Sequence, residues 1–304
     1  MSVVDKYFYN QASRVKLGWE MDWFDAEDEG ELIRNIRAFQ KKSGLTPDGL
    51  CGPTTFRRIW TERESNATEE ILSEVREEKD EYFIVCNGKP QKIDHPTVIW
   101  SDSGGLDAKE KTYTSFAGKK PREVKTFVNH WDVCLSSKSC QKVLDKRGIS
   151  VHFMIDNDGT IYQALDTQHA AWHAGNKTVN LTSVGVEISC AYYPKYQERY
   201  KKMGLEERPI VEGAVVHGRK LDPFLGFYEV QLKALKALWK AIHEAHGVPY
   251  ECPLNEDGTR LLSASDKVAS GKFEGFVNHF HITRRKIDCV SLDLPELLKE
   301  VREK

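Results

Sequence analysis

The tetrapeptide Phe-Val-Asn-His occurs twice in this chain, once ending at His130 and once ending at His279. Each copy lies in a short run rich in β-branched and aromatic residues, which is typical of a β-strand. Because alternate side chains of a strand face the same side, each copy presents valine and histidine on one face and phenylalanine and asparagine on the other. Two adjacent strands that end this way could aim both imidazoles at one point.

The second copy continues into a segment rich in metal-binding side chains, HFHITRRKIDC. Zinc sites use histidine, cysteine and carboxylate ligands, and catalytic sites keep one position open for water. His130 and His279 are therefore candidate ligands, and the third ligand could be Asp288, Cys289 or His281. A lone histidine is usually structural or on the surface, whereas two in matched contexts, followed by Lys-x-Asp, indicate a metal site as readily as a structural role.

From Tyr82 onward, short β-rich runs alternate with turns: YFIVCNGKP, PTVIWSDSGG, VKTFVNHWD, SVHFMIDNDGTIYQAL and SVGVEISC. Helical periodicity returns in the run that ends at Gly247, with one broad apolar face made of Val230, Leu232, Leu235, Leu238, Trp239 and Ile242. This mixture predicts an α/β domain with a central mixed β-sheet flanked by helices. Two stretches, 192–227 and 251–274, follow neither pattern. We interpret them as insertions or long loops.

The first sixty residues predict a small all-α unit, because apolar residues between Leu32 and Phe39 recur at helical spacing. A Pro-Asp-Gly turn and a threonine-initiated helix follow. The next segment is highly charged and has few large apolar residues, which is typical of a solvated helix or linker. We therefore expect a helical domain at 1–65, a charged linker or helix at 66–80 and a second domain at 81–304.

The overall charge excludes some classes of function. The net charge is −2, so no strong field draws the chain to nucleic acid or to an anionic membrane. No apolar run is long enough to span a bilayer, and the N-terminus lacks the apolar core of a signal peptide. We expect a monomer that is made in the cytoplasm and inserts into no membrane. Action outside the cell would require another route of release.

Seven cysteines are present, an odd number that leaves at least one unpaired within the chain. Most are scattered, which argues against a disulfide scaffold. Cys134 and Cys140 are close enough in sequence to close a small loop.

Five segments, in order, resemble the zinc-dependent N-acetylmuramoyl-L-alanine amidases of the amidase-2 type. This group includes phage lysozyme-type amidases and animal peptidoglycan recognition proteins. The resemblance covers residues from about 125 to 297, and its segments are FVNHWD, RGISVHFMIDNDGTIYQAL, AAWHAGN, SVGVEIS and HFHITRRKIDC. It implies a zinc domain that cleaves the amide bond between N-acetylmuramic acid and L-alanine in bacterial peptidoglycan.

The resemblance also implies which residues hold Zn²⁺. The last ligand of the family follows a lysine by two positions, as Asp288 follows Lys286 here. It thus assigns the zinc to His130, His279 and Asp288. The segment between His279 and Lys286 is shorter than in many bacterial members and lacks their usual proline. His281 and Cys289 therefore remain alternatives to Asp288 as the third ligand.

The same resemblance implies the catalytic groups. Glu187, in VGVEIS, takes the place of the general base, although the pattern alone favours a carboxylate at a sheet edge. Lys286 would stabilise the oxyanion, and His173, in AWHAGN, could contact substrate or the oxyanion. Some phage relatives use a tyrosine as the base at the position of Val151, so that route is absent here.

The N-terminal segment IRAFQKKSGLTPDGLCGPTTFRRIW resembles the second half of the peptidoglycan-binding domain. Such a module would tether the enzyme to its polymer and raise the effective substrate concentration. Together the two resemblances imply a phage endolysin that reaches the cell wall through a holin or by secretion. The alternatives are an injected antibacterial amidase effector and a non-catalytic peptidoglycan-binding protein. The spacing of Cys134 and Cys140 resembles that of a disulfide in animal recognition proteins.

Overall fold

The computed structural model describes residues 1–67 and 79–303 of the chain. These residues form two compact units, one made of 1–67 and 142–148 and the other of 79–141 and 149–303. Most of the charged segment expected at 66–80 lies outside the described residues.

The first unit is helical over its N-terminal part. Its helices are α1 (Val3–Leu17), α2 (Glu29–Lys42) and α3 (Pro53–Asn66), with a 3-10 turn at Met21–Phe24. In α2 the buried side chain of Gln40 accepts a hydrogen bond from the N–H of Gly49 and donates one to the carbonyl of Leu50. Gly49 has a positive φ of 80°, which glycine adopts readily in a tight turn. Helix α3 begins at Pro53 after Gly52 rather than at the expected threonine, because proline suits the first helical position.

A six-stranded sheet lies at the centre of the second unit, in the order β14-β5-β9-β6-β7-β3. Strands β14, β5, β9 and β6 are parallel to one another, β7 is antiparallel to β6, and β3 is parallel to β7. The bounds are β3 (Thr97–Ile99), β5 (Thr126–Trp131), β6 (Phe153–Ile155), β7 (Ile161–Gln163), β9 (Ser183–Ile188) and β14 (Gly275–Asn278).

Four small hairpins and two-stranded ladders accompany this sheet. They pair β1 (Tyr82–Cys86) with β2 (Lys89–Ile93), β4 (Tyr113–Thr114) with β8 (Ala170–Ala171), β10 (Ile210–Val211) with β13 (Phe224–Leu225), and β11 (Val215–Val216) with β12 (Arg219–Lys220). The remaining helices are α4 (Ser137–Arg147), α5 (Lys177–Thr182), α6 (Gln197–Lys202), α7 (Glu229–His246), α8 (Asp266–Ala269) and α9 (Leu294–Arg302).

The two faces of the sheet bury different side chains. Phe127 and Phe276 pack in the main core toward α7, where the ring of Trp239 lies 5.2 Å from that of Phe276. Val128 and Val277 pack on the opposite face in a cluster that includes residues of α5 and α8. Helices therefore flank both faces of a mixed sheet, and the predicted α/β fold is confirmed.

Helix α7 follows the predicted apolar stripe except at its start. Val230 is 37% exposed, although its spacing places it near the apolar face. Gln231 is buried instead, because its side chain accepts a hydrogen bond from Arg208 and donates one to the carbonyl of Ser189. The helix ends at Gly247, as expected, in the left-handed conformation.

The stretches interpreted as insertions contain little regular structure. The first, 192–227, holds a 3-10 turn, α6 and strands β10 to β13, while 251–274 holds α8 and one isolated bridge between Leu254 and Arg260. Within the described residues, no helix combines the length and the apolar character needed to cross a bilayer.

Candidate metal centre and active site

The two copies of Phe-Val-Asn-His lie side by side in the sheet. Strands β5 and β14 pair in parallel, so that each residue of Thr126–Asn129 lies beside its counterpart in Gly275–Asn278. The amide of Asn129 donates a hydrogen bond to the carbonyl of Val277 and accepts one from the indole N–H of Trp239. This side chain fastens the two strands to each other and to α7, which fixes where each copy ends.

Both histidines of the repeat point to one place. The Nδ1 atoms of His130 and His279 lie 2.8 Å apart. The Oδ2 atom of Asp288 lies 3.0 Å from Nδ1 of His279 and 3.4 Å from Nδ1 of His130. All three residues are buried. A zinc ion with bonds of about 2.0–2.1 Å could reach three donor atoms at this spacing.

The ionisation of this cluster also suits a metal. Burial, together with the neighbouring imidazole of His279, lowers the pKa of His130 to about 3. Burial also lowers the pKa of His279. For Asp288, burial acts in the opposite direction, but interactions with the two histidines hold the pKa of the carboxyl well below its usual range. At neutral pH the cluster therefore offers two neutral imidazoles and one carboxylate, which are the forms that bind a divalent cation.

His173 contacts the ring nitrogen of His130 that faces away from His279 and Asp288. Its Nδ1 is 2.9 Å from Nε2 of His130, and its Nε2 is 3.1 Å from the hydroxyl of Ser183. Both ring nitrogens of His173 thus contact protein groups, and the residue is buried. A partner on the distal nitrogen fixes the orientation of a metal-binding histidine. The sequence motif that contains His173 does not reveal its contact with His130, because side chains 43 residues apart leave no local pattern.

Gly185 makes room for His173. A Cβ atom at this position would lie 2.5 Å from Nδ1 of His173, a distance at which one of the two must move. Gly185 pairs with Val128 in β5, on the same face of the sheet as His130. The glycine in SVGVEIS therefore has a packing role that its motif does not reveal.

Glu187 lies on the strand next to His130. In the β5–β9 ladder these two residues are direct partners, so their side chains emerge on the same face of the sheet. Glu187 is buried, and β9 lies between β5 and β6. The carboxylate is thus in a central strand, not at the sheet edge that its pattern alone favours.

Lys286 lies in the segment that leads to Asp288 and is partly buried. Its positive charge adds to the effect of burial in lowering the pKa of His130 and of His279. The ammonium group is therefore within electrostatic reach of the cluster.

The two alternative ligands point elsewhere. Nδ1 of His281 accepts a hydrogen bond from the N–H of Asn278, and its Nε2 lies 3.0 Å from the carbonyl of Leu261. Cys289 is fully buried, and burial raises the pKa of its thiol well above the usual value. The thiolate that binds a metal is therefore disfavoured at Cys289.

A second group of possible ligands, formed by Asp132, Cys134 and Cys140, has a structural explanation. Oδ1 of Asp132 accepts hydrogen bonds from the N–H groups of Cys134 and Cys190, and Oδ2 accepts one from Ser189. These bonds hold the chain after β5 against the end of β9. All seven cysteines lie in the described part of the chain, and each is a free thiol.

Comparison with known families agrees with this geometry. The sequence model of the N-acetylmuramoyl-L-alanine amidase family matches residues 120–288, more than half of the chain. The chain belongs to this amidase family. The matched region begins just before β5 and ends at Asp288, so it contains the whole cluster. No curated protein sequence matches the chain significantly.

Several solved structures are similar to this amidase. AmpDh3 from Pseudomonas aeruginosa, in complex with an anhydromuramic pentapeptide, is 20% identical with a TM-score of 0.39, over 65% of this chain and 66% of that chain. A selenomethionine derivative of AmpD is 14% identical with a TM-score of 0.34, over 68% of this chain and 94% of the other. A mutant endolysin from Bacillus subtilis is 14% identical with a TM-score of 0.35, over 68% of this chain and 99% of that chain.

Proposed function

We propose that this chain is a zinc-dependent N-acetylmuramoyl-L-alanine amidase that hydrolyses the bond between the lactyl group of N-acetylmuramic acid and L-alanine. Membership of the amidase family supports activity on peptidoglycan. The observation that carries the proposal is the convergence of three buried donor atoms, from His130, His279 and Asp288, inside the region that matches the family.

These three residues would hold the zinc. A bound zinc ion supplies Lewis-acid chemistry, since it polarises a carbonyl and lowers the pKa of a bound water to about 7. The chain itself supplies two neutral imidazole nitrogens and one carboxylate oxygen, already gathered before any ligand arrives. His173 holds the imidazole of His130 from behind, so that its Nδ1 faces the other two donors.

Glu187 would act as the general base and take a proton from the attacking water. Its pairing with His130 on the neighbouring strand and its burial support this role. Lys286 would stabilise the negative charge that develops on the substrate oxygen, since a fixed cation at a water-poor site lowers the energy of such a charge.

We further propose that residues 1–65 form a peptidoglycan-binding domain, 66–80 a linker and 81–304 the catalytic domain. The resemblance of the α2–α3 segment to the peptidoglycan-binding domain supports this division. In this proposal the protein is a phage endolysin that is delivered to the cell wall through a holin or another secretion route.

The proposal is tested by digesting purified peptidoglycan with the zinc-loaded protein and reading the products by mass spectrometry. We expect stem peptides with a free L-alanine amine, and a rate lower by about 100-fold or more in Glu187→Gln, as for loss of a general base. Glu212→Gln, at an exposed position, is the matched control. Absence of peptide release on several peptidoglycan types would favour the non-catalytic binding protein. Unchanged release by Glu187→Gln would refute the assigned base.

A further inference from the structure

The tip of the β11–β12 hairpin, in the insertion 192–227, carries an unusual residue for its conformation. Val216 and Arg219 are paired, so the turn consists of His217 and Gly218. Both have positive φ angles, 55° and 73°. Two-residue turns of this kind favour asparagine or glycine at the first position. Histidine is less common at this position, and here its side chain makes contacts outside the turn.

That side chain contacts the segment that carries the candidate metal ligands. Nε2 of His217 lies 2.8 Å from the carbonyl oxygen of Lys286, so an N–H at Nε2 donates to it. The ring also meets Phe280 edge to face, with centroids 6.1 Å apart. Nδ1 of His217 is buried with no hydrogen-bond partner in the described part of the chain.

These two contacts bracket the metal-binding segment. Phe280 directly follows His279, and Lys286 precedes Asp288 by two residues. The hairpin is itself held in place, because the backbone N–H of His217 donates to the carbonyl of Leu262 at 2.8 Å. Both insertions therefore meet at His217.

In the described structure, bonds from the N–H groups of Arg285 and Lys286 to Thr283 hold the start of the segment 283–288. The N–H of Phe280 holds its end by donating to the carbonyl of Asp288 at 2.9 Å. The segment contains no proline, and Arg284 and Arg285 are exposed. The N–H of Lys286 donates to the carbonyl of Thr283 at 3.2 Å, a longer bond than the 2.8 Å bond that His217 makes to the carbonyl of Lys286. The bond from the insertion is therefore well placed to fix the backbone from which the side chains of Lys286 and Asp288 extend.

We propose that His217 is a positioning residue, through which the insertion 192–227 sets the Lys286 ammonium and the Asp288 carboxylate in the active site. The inference rests on the proposed amidase function for its kinetic consequence but not for its effect on metal binding. Loss of an outer partner of a metal site typically weakens metal affinity or activity by about 10- to 100-fold.

The test compares three variants of the full chain. His217→Asn retains a residue that favours the turn but is too short to reach Lys286, whereas His217→Gln has an amide that can extend toward the same carbonyl. Arg219→Ala, at an exposed position of the same hairpin, is the control. Zinc affinity is measured by competition with a chromophoric chelator, and kcat, KM and Tm are measured on the same samples.

We expect His217→Asn to keep the Tm of the wild type while its zinc affinity and its kcat fall by about 10-fold or more, with KM little changed. His217→Gln should recover part of both losses, and Arg219→Ala should resemble the wild type. Unchanged zinc affinity and kcat in His217→Asn would overturn the inference. The inference would also be overturned if both His217 variants lost zinc affinity and kcat in step with a lower Tm and His217→Gln recovered neither.

The zinc measurement separates this inference from the proposed function. Wild-type protein that binds zinc but releases no stem peptides would refute the amidase activity alone, and the competition assay would still decide the role of His217. Wild-type protein that binds no zinc would overturn both.

Discussion

The two ring nitrogens of His130 contact different partners, and these contacts show how the ring is oriented in the cluster. Nδ1 faces His279 and Asp288, while Nε2 contacts Nδ1 of His173. A neutral imidazole carries one proton, so His130 binds a metal through Nδ1 only in the form that carries this proton on Nε2. In that form Nε2 donates to Nδ1 of His173. His173 in turn donates from its own Nε2 to Ser183. This chain of hydrogen bonds leaves a lone pair on Nδ1 of His130 directed at the other donors.

Gly185→Ala tests this chain of hydrogen bonds. The added Cβ would lie 2.5 Å from Nδ1 of His173, so the imidazole or the strand must shift, which disturbs the contact of this Nδ1 with His130. We expect zinc affinity to fall by about 10- to 100-fold and the free energy of unfolding to fall by about 1–3 kcal/mol. Chelator competition and urea denaturation measure the two effects. A variant that loses stability but binds zinc like the wild type would show that His173 does not orient the ligand.

At the scale of elements, the insertion 192–227 is anchored by a buried guanidinium. Arg208 lies between the rings of Tyr200 and Tyr228, at 4.4 and 4.1 Å from their centroids. It donates hydrogen bonds to the carbonyls of Ser189, just after β9, and of Gly226. The same insertion carries His217, so Arg208 secures the base of the element whose tip contacts the segment that contains the candidate ligand Asp288.

Arg208→Met keeps the length of the side chain but removes all of its donors. The carbonyl of Gly226 then loses this donor, and that of Ser189 keeps, among the described residues, only the amide of Gln231. We expect the free energy of unfolding to fall by about 2–5 kcal/mol. Arg219→Ala, at an exposed site, should change it by less than about 0.5 kcal/mol. Urea denaturation of the two variants beside the wild type measures the difference. A loss below about 1 kcal/mol in Arg208→Met would mean that the insertion is held mainly by other contacts.

At the scale of the whole molecule, buried histidines make stability depend on pH. Burial lowers the pKa of His246 and of His281 to about 4. The unfolded chain, in which a histidine has a pKa of about 6.5, binds more protons than the folded chain at mildly acidic pH. The contribution of these two histidines to the free energy of unfolding is therefore fully present above about pH 6.5. It is lost as the pH falls toward their pKa in the folded protein.

We expect the metal-free protein to lose about 1 kcal/mol for each such histidine between pH 7.5 and 5.5. Urea denaturation at the two pH values, with a chelator present, measures the change. His246→Gln should reduce the dependence, because its amide does not titrate and can still bond to the hydroxyl of Thr167, which lies 2.8 Å from the imidazole. Equal stability of the wild type at both pH values would contradict the prediction.

Much of the fold was accessible from local patterns. The β-rich runs that predicted strands became β1, β3, β5, β6, β7 and β9, and Gly247 ends α7 as expected. The apolar pattern wrongly places Val230 on the buried face, and it gives no sign that Gln231 is buried. Periodicity counts apolar residues, whereas the burial of Gln231 depends on partners at Ser189 and Arg208, which are remote in sequence.

The sequence by itself determined the repeated strand, the alternation that places His130 and His279 on one face, and the motifs that identify the amidase family. These properties depend on neighbouring residues and on the period of a β-strand, so they can be read along the chain. Only the tertiary structure decided that His173 supports His130, that Gly185 leaves it room, and that His217 meets Lys286. Each of these contacts joins segments far apart in sequence, and packing in three dimensions alone brings them together.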